Sequence, residues 1–105
     1  METLKLFATY QTTLPLAAQA QLLRDQGWRT AGDDNSLTCQ HTGATLQLEH
    51  SGGDEFLLRG ELERDQYTKT HAAAPLTFLR NCAESFQLDI FEEDGRLVRR
   101  ISSAD

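Results

Sequence analysis

The stretch SLTCQHTGATLQLEH, residues 36–50, decides how this chain is read. It holds one of the 2 cysteines and two of the 3 histidines, so it admits two readings: a metal or thiol–imidazole site, or a hairpin. Register separates them. With Thr42-Gly43 as the turn, His41 pairs with Ala44, Cys39 with Leu46, and Leu37 with Leu48. One face then carries Leu37, Cys39, Ala44, Leu46 and Leu48, and the other Thr38, Gln40, Thr45, Gln47 and Glu49. Side chains alternate along a strand, so this is the separation a half-buried antiparallel pair requires. Cys39 falls in the apolar row, where a free cysteine behaves as a small hydrophobe. His41 and His50 share that face but stand at opposite ends of it, on the order of 20 Å apart at ~3.3 Å per residue. One zinc ion gathers its ligands within about 2.3 Å, so the hairpin cannot assemble all three. The apolar row also lacks the basic, exposed surroundings that make a thiol reactive.

Working outward, Leu4 to Tyr10 reads as a strand with Leu4, Leu6, Ala8 and Tyr10 on one face and Phe7 on the other. A helix follows over about residues 14–26, with Thr13 as its N-cap and Pro15 in its first turn. Leu16, Ala20 and Leu23 form its apolar stripe, and Gln19, Arg24 and Gln26 are polar. Gly27 suits the left-handed position after the last turn, with Trp28 folding back onto the helix. GDDN at 32–35 reads as a turn, and Asp33, Asp34 and Asn35 are ordinary turn formers. A third meander strand spans about 54–63, with SGG at 51–53 as a three-residue hairpin loop.

Residues 64–74 give no clear pattern. Pro75 then opens a second helix to about Phe86, with Leu76, Leu79, Ala83 and Phe86 on one stripe. Asp94-Gly95 is a two-residue hairpin signal; pairing 93 with 96 sets Leu88 opposite Ile101 and Phe91 opposite Val98. The order β-α-β-β-β-α-β-β implies an α+β two-layer sandwich, an antiparallel-rich sheet of about six strands with two helices on one face. In general plan it is ferredoxin-like, an analogy of architecture that carries no function.

The 105 residues fit a single compact domain, with 39% hydrophobic and 25% charged residues. The net charge of −6 disfavours direct binding to nucleic acid or to anionic membranes and favours a basic protein partner. Two cysteines make no disulfide framework, the N-terminus lacks a signal-peptide pattern, and no apolar run is long enough to span a bilayer. The expected location is the cytoplasm, and a Cys39–Cys82 disulfide is disfavoured there.

No nucleophile elbow, phosphate-binding loop, Rossmann glycine pattern or zinc-protease motif occurs, and no cofactor or metal is expected. Glu61 and Glu63 share a strand face and would be solvated. His71, near Asp65 and Tyr67, is the remaining imidazole candidate for a polar site. Arg96, Arg99 and Arg100 are expected to pair with Asp89, Glu92 and Glu93. With helices on the face of Leu4, Leu6, Phe56, Leu58, Leu88 and Ile90, the opposite face presents Phe7, Leu57, Phe91 and Val98 beside Glu49, Glu61, Glu63 and Asp89. Apolar groups rimmed by charge are the pattern of an interaction surface. The expectation is a non-enzymatic protein-binding module, an acidic inhibitor or sequestering protein of the immunity or anti-defence kind. Its partner would be a basic protein or one that handles nucleic acid. Binding falls to Phe7, Glu49, Leu57, Glu61, Glu63, Asp89 and Phe91. The alternatives are a small-ligand or regulatory domain that self-associates through its sheet as a homodimer, and a small enzyme.

Overall fold

The computed structural model describes residues 3–33, 35–65 and 73–103. Its elements run β1 (Thr3–Gln11), α1 (Leu16–Asp25), β2 (Arg29–Gly32), β3 (Ser36–His41), β4 (Ala44–Gly52), β5 (Glu55–Glu63), α2 (Ala73–Cys82), β6 (Ser85–Phe91) and β7 (Leu97–Ser102). The strands form one antiparallel sheet of 7 strands in the order β2-β3-β4-β5-β1-β6-β7. The sequence suggested about six strands. The added one is β2, which is 4 residues long and largely exposed, so it has no apolar alternation to betray it.

The alternation along β1 buries Leu4, Leu6, Ala8 and Tyr10 and turns Lys5, Phe7 and Thr9 outward. The buried row continues through Leu37 and Cys39, Leu46 and Leu48, Phe56 and Leu58, and Leu88 and Ile90. The register expected for the 36–50 hairpin is the one observed, with Leu37 opposite Leu48, Cys39 opposite Leu46 and His41 opposite Ala44. Both helices lie on this buried face. Tyr10 meets the α2 ring of Phe78 edge-on at 6.1 Å and donates a hydrogen bond to Gln19 of α1. The other face of the sheet is left without a helix among the described residues.

The end of α1 follows its sequence signals. Gly27 takes φ +93°, its N–H reaches the Arg24 carbonyl at 3.0 Å, and Trp28 N–H reaches that of Leu23 at 2.9 Å. These two bonds satisfy the last carbonyls of the helix. Its start differs from expectation: Pro15 stands at the N-cap, and no side chain caps the helix, so Thr13 does not serve there. The Thr12 Oγ1 accepts from Leu14 N–H at 3.1 Å and donates to the Cys82 carbonyl at 2.7 Å, tying α1 to the end of α2. Gln19 is fully buried rather than part of the polar face.

Three further boundaries differ from the sequence reading. α2 ends at Cys82, and Phe86 belongs to β6, where it pairs with Tyr10. β4 runs on to Gly52, and an irregularity between His50 and Gly52 takes up the residue assigned to a three-residue loop. The last hairpin keeps Leu88 opposite Ile101, but the register shifts after Ile90, so Phe91 faces Leu97 rather than Val98. The longer connection closes through Glu92 N–H to the Arg96 carbonyl and Gly95 N–H to that of Glu92. An extra residue of this kind bends a strand and sharpens its twist.

Candidate functional site

The outward faces of β4, β5, β1, β6 and β7 can be laid out row by row. The central row is Gln47, Arg59, Phe7, Asp89 and Arg100. The next row toward one end is Thr45, Glu61, Lys5, Phe91 and Leu97, and toward the other it begins Glu49, Leu57, Thr9. Leu57, Phe7 and Phe91 are therefore diagonal neighbours on three adjacent strands, a relation that sets positions ~7–8 Å apart. The sequence placed these residues on one face, and the strand order brings them into one stripe. Phe7 is 38% exposed on the strand at its centre, and Leu97 and Val98 extend the exposed apolar surface at 48% and 37%.

Beside the stripe the sheet is concave. A depression of about 620 Å³ is lined by Lys5, Phe7, Thr45, Gln47, Arg59, Glu61 and Phe91, with Leu6, Leu46 and Gly60 at its floor. Gly60 lets β4 and β5 approach closely beneath it. A Cβ there would overlap the Thr45 carbonyl oxygen and stand 2.8 Å from Leu46 Cδ2. A strand glycine of this sort permits close approach of the neighbouring backbone.

The charges on this face are mixed. Lys5, Arg29, Arg59 and Arg100 stand among Glu49, Glu55, Glu61, Glu63 and Asp89, leaving one excess negative charge. Asp89 is 7% exposed and is held by Arg100 through Nε at 2.8 Å and Nη2 at 3.3 Å. This forked contact, aided by the carboxylate's charge, raises the pKa of Arg100. Asp89 is thus occupied within the fold, where it flanks Phe7. By contrast, Glu49, Glu61, Glu63, Lys5 and Arg59 have no hydrogen bond or ion pair from their side chains among the described residues. Glu61 is exposed and Glu63 half-buried two residues on along the open face, so this pair is not an enclosed acid–base dyad.

The other arginines pair differently from expectation. Arg96 bonds Asp94 at 2.9 Å, and Glu92 is taken by Arg64. Glu93 accepts from the Thr3 hydroxyl at 3.2 Å. Arg99 has no ion pair among the described residues.

The cysteines are buried, and the described histidines make ring and turn contacts within the fold. Burial pushes the Cys39 and Cys82 thiols up to about 12, and both cysteines are free. His41 packs on the Trp28 ring at 5.0 Å. His50 stacks on Phe56 at 4.8 Å and its Nε2 lies 2.7 Å from the Gly53 carbonyl, closing the β4–β5 turn. No group of three or more metal-ligating side chains occurs among the described residues. Tyr67, His71 and Asp34 lie outside the described residues. No described helix is long and apolar enough to cross a membrane.

No family model, no curated protein and no solved structure matches this chain.

Proposed function

We propose that this is a non-enzymatic protein-binding module that holds a protein partner against the open face of its sheet and thereby inhibits or sequesters it. One observation supports the reading: Leu57, Phe7 and Phe91 lie on one diagonal of three adjacent strands beside a 620 Å³ depression, on the face without a helix among the described residues. Aromatic anchors near the centre of a patch dominate binding energy where a rim keeps water out. The free carboxylates of Glu49, Glu61 and Glu63 lie around that stripe, and with the net charge of −6 they favour a partner with a basic surface. Acidic proteins of the immunity or anti-defence kind work on such partners, and a cytoplasmic setting suits the two free cysteines.

We also read the four strands β4-β5-β1-β6, with α1 and α2, as a ferredoxin-like core extended by the β2–β3 hairpin and by β7. That plan assigns no activity, and the function rests on the face alone.

The test is capture of the partner from the native host by the wild-type protein and by two variants. Phe7→Ser with Phe91→Ser should abolish retention while leaving circular dichroism unchanged. Replacing Glu49, Glu61 and Glu63 by Gln should slow association and flatten its dependence on salt. Retention indifferent to both sets of substitutions would remove the face from consideration.

A further inference from the structure

We propose that, when no partner is bound, the open face is covered by a second copy of this chain, packed face to face about a two-fold axis near Phe7. The inference rests on reading this face as a docking surface, and it names the occupant that is always at hand.

Charge is the first argument. Two copies bearing −6 each repel through most of their surfaces. The open face is close to balance, so it is where copies can approach at least cost. Its unpaired charges are also of both signs. Lys5 and Arg59 have no side-chain partner among the described residues, and neither do Glu49, Glu61 and Glu63. A second copy supplies opposite charges to both, because a two-fold interface is self-complementary.

Area and edges give the second argument. The molecule measures 32 × 28 × 20 Å, and seven strands at ~4.8 Å spacing span its broad dimensions. The face therefore offers at most roughly 900 Å², close to the ~800 Å² per partner of a standard interface. The rim will not all be in contact, so the interface lies at the small end of the standard range. The alternative, edge-to-edge pairing, is opposed at both ends of the sheet. β2 has only 4 residues, and β7 carries Arg99, Arg100 and a register shift. Short edges, charges and bulges are features that block strand addition. Burying Phe7 of each copy against the other's depression instead removes the most central exposed aromatic ring from water.

The experiment is sedimentation velocity of the full chain from low micromolar to several hundred micromolar, at low and high salt. The weight-average mass should rise from 11.8 kDa toward twice that value. Phe7→Asp should raise the half-dimer concentration by about tenfold or more, with an unchanged melting temperature. Arg59→Glu and Glu61→Arg should each weaken self-association, and an equimolar mixture of the two should restore a dimer, because each then meets its opposite. A chain that stays monomeric throughout overturns the proposal. So does a dimer that survives Phe7→Asp but is lost when Val98→Pro blocks the β7 edge. Either result leaves the partner reading to its own test, since capture through Phe7 and Phe91 is measured separately.

Discussion

The Tyr10 hydroxyl donates a hydrogen bond to Gln19 Oε1 at 2.7 Å, with both side chains fully buried. Gln19 Nε2 in turn donates to the Leu14 carbonyl at 2.9 Å, so β1 is tied through Gln19 to the segment that leads into α1. Burial raises the pKa of the Tyr10 phenol, which keeps its proton available for this bond. Tyr10→Phe removes the donor and strands the Gln19 oxygen. Leaving one buried partner unsatisfied costs about 1–3 kcal/mol, more than the net worth of the bond. Gln19→Met with Tyr10→Phe removes both ends and should cost less than the sum of the singles. Urea unfolding of the four proteins gives this coupling directly; additive losses would show that the bond contributes nothing specific.

Gly60 is the floor of the depression, and its lack of a side chain is a packing requirement. Its φ is not in the left-handed region, so the constraint is the neighbouring strand and not the local backbone. Because the obstacle is the Thr45 carbonyl, Gly60→Ala cannot be relieved by a rotamer change. β4 and β5 must separate, at a cost of about 1–3 kcal/mol, the usual range for overpacking. For a chain of this length that lowers the melting temperature by roughly 4–8 °C per kcal/mol. A melting temperature within experimental error of wild type would mean that the sheet can flatten freely.

Much of this fold was legible because its strands alternate strictly. The 36–50 hairpin and the buried row of β1 follow from period-two patterning alone, and Gly27-Trp28 closes α1 as helix-end chemistry requires. What escaped had weak local signals. β2 is short and exposed, and it is fixed by pairing with β3 rather than by its own residues. Gln19 does sit on the helix stripe, between Leu16 and Leu23 at helical spacing, but its polarity concealed that it serves Tyr10. The stripe Leu57–Phe7–Phe91 needed the strand order, because β5 and β6 flank β1 only through long-range pairing. For the same reason the face read as acidic: Arg59 and Lys5 join the glutamates only once β5 lies beside β1.

The two cysteines should be silent in the native protein. Cys39 is fully buried and Cys82 nearly so, and their thiols are pushed up to about 12 by loss of solvent. A thiol reagent at pH 8 should therefore modify neither group at a measurable rate, and both on unfolding in urea. The same shift sets an alkaline limit. A thiol with a raised folded pKa contributes stability below its unfolded value, near ~8.5, and loses it as pH climbs toward the folded one. The wild-type urea midpoint should fall above about pH 9, and a Cys39→Ala, Cys82→Ala variant, though weaker at neutral pH, should show a flatter decline. Rapid modification of the folded chain would place at least one thiol at the surface.

Two aspartates control the acid side through turns. Asp33 Oδ1 accepts from the backbone N–H of Asn35 at 2.8 Å and of Ser36 at 3.0 Å, and these bonds lower its pKa. Asp94 accepts from Arg96 N–H at 3.0 Å, which together with the Arg96 guanidinium lowers its pKa as well. The charged forms are favoured only in the folded chain. Their contribution is present above the ordinary carboxylate value of about 3.9 and is lost as pH falls through the lowered folded values. Asparagine at both positions keeps an oxygen to accept the backbone N–H groups but removes the charge. The Asp33→Asn, Asp94→Asn variant should be less stable than wild type at pH 7, and the gap should close between about pH 5 and pH 2. Urea midpoints across that range measure the gap; two curves that stay parallel would mean that neither carboxylate is linked to folding.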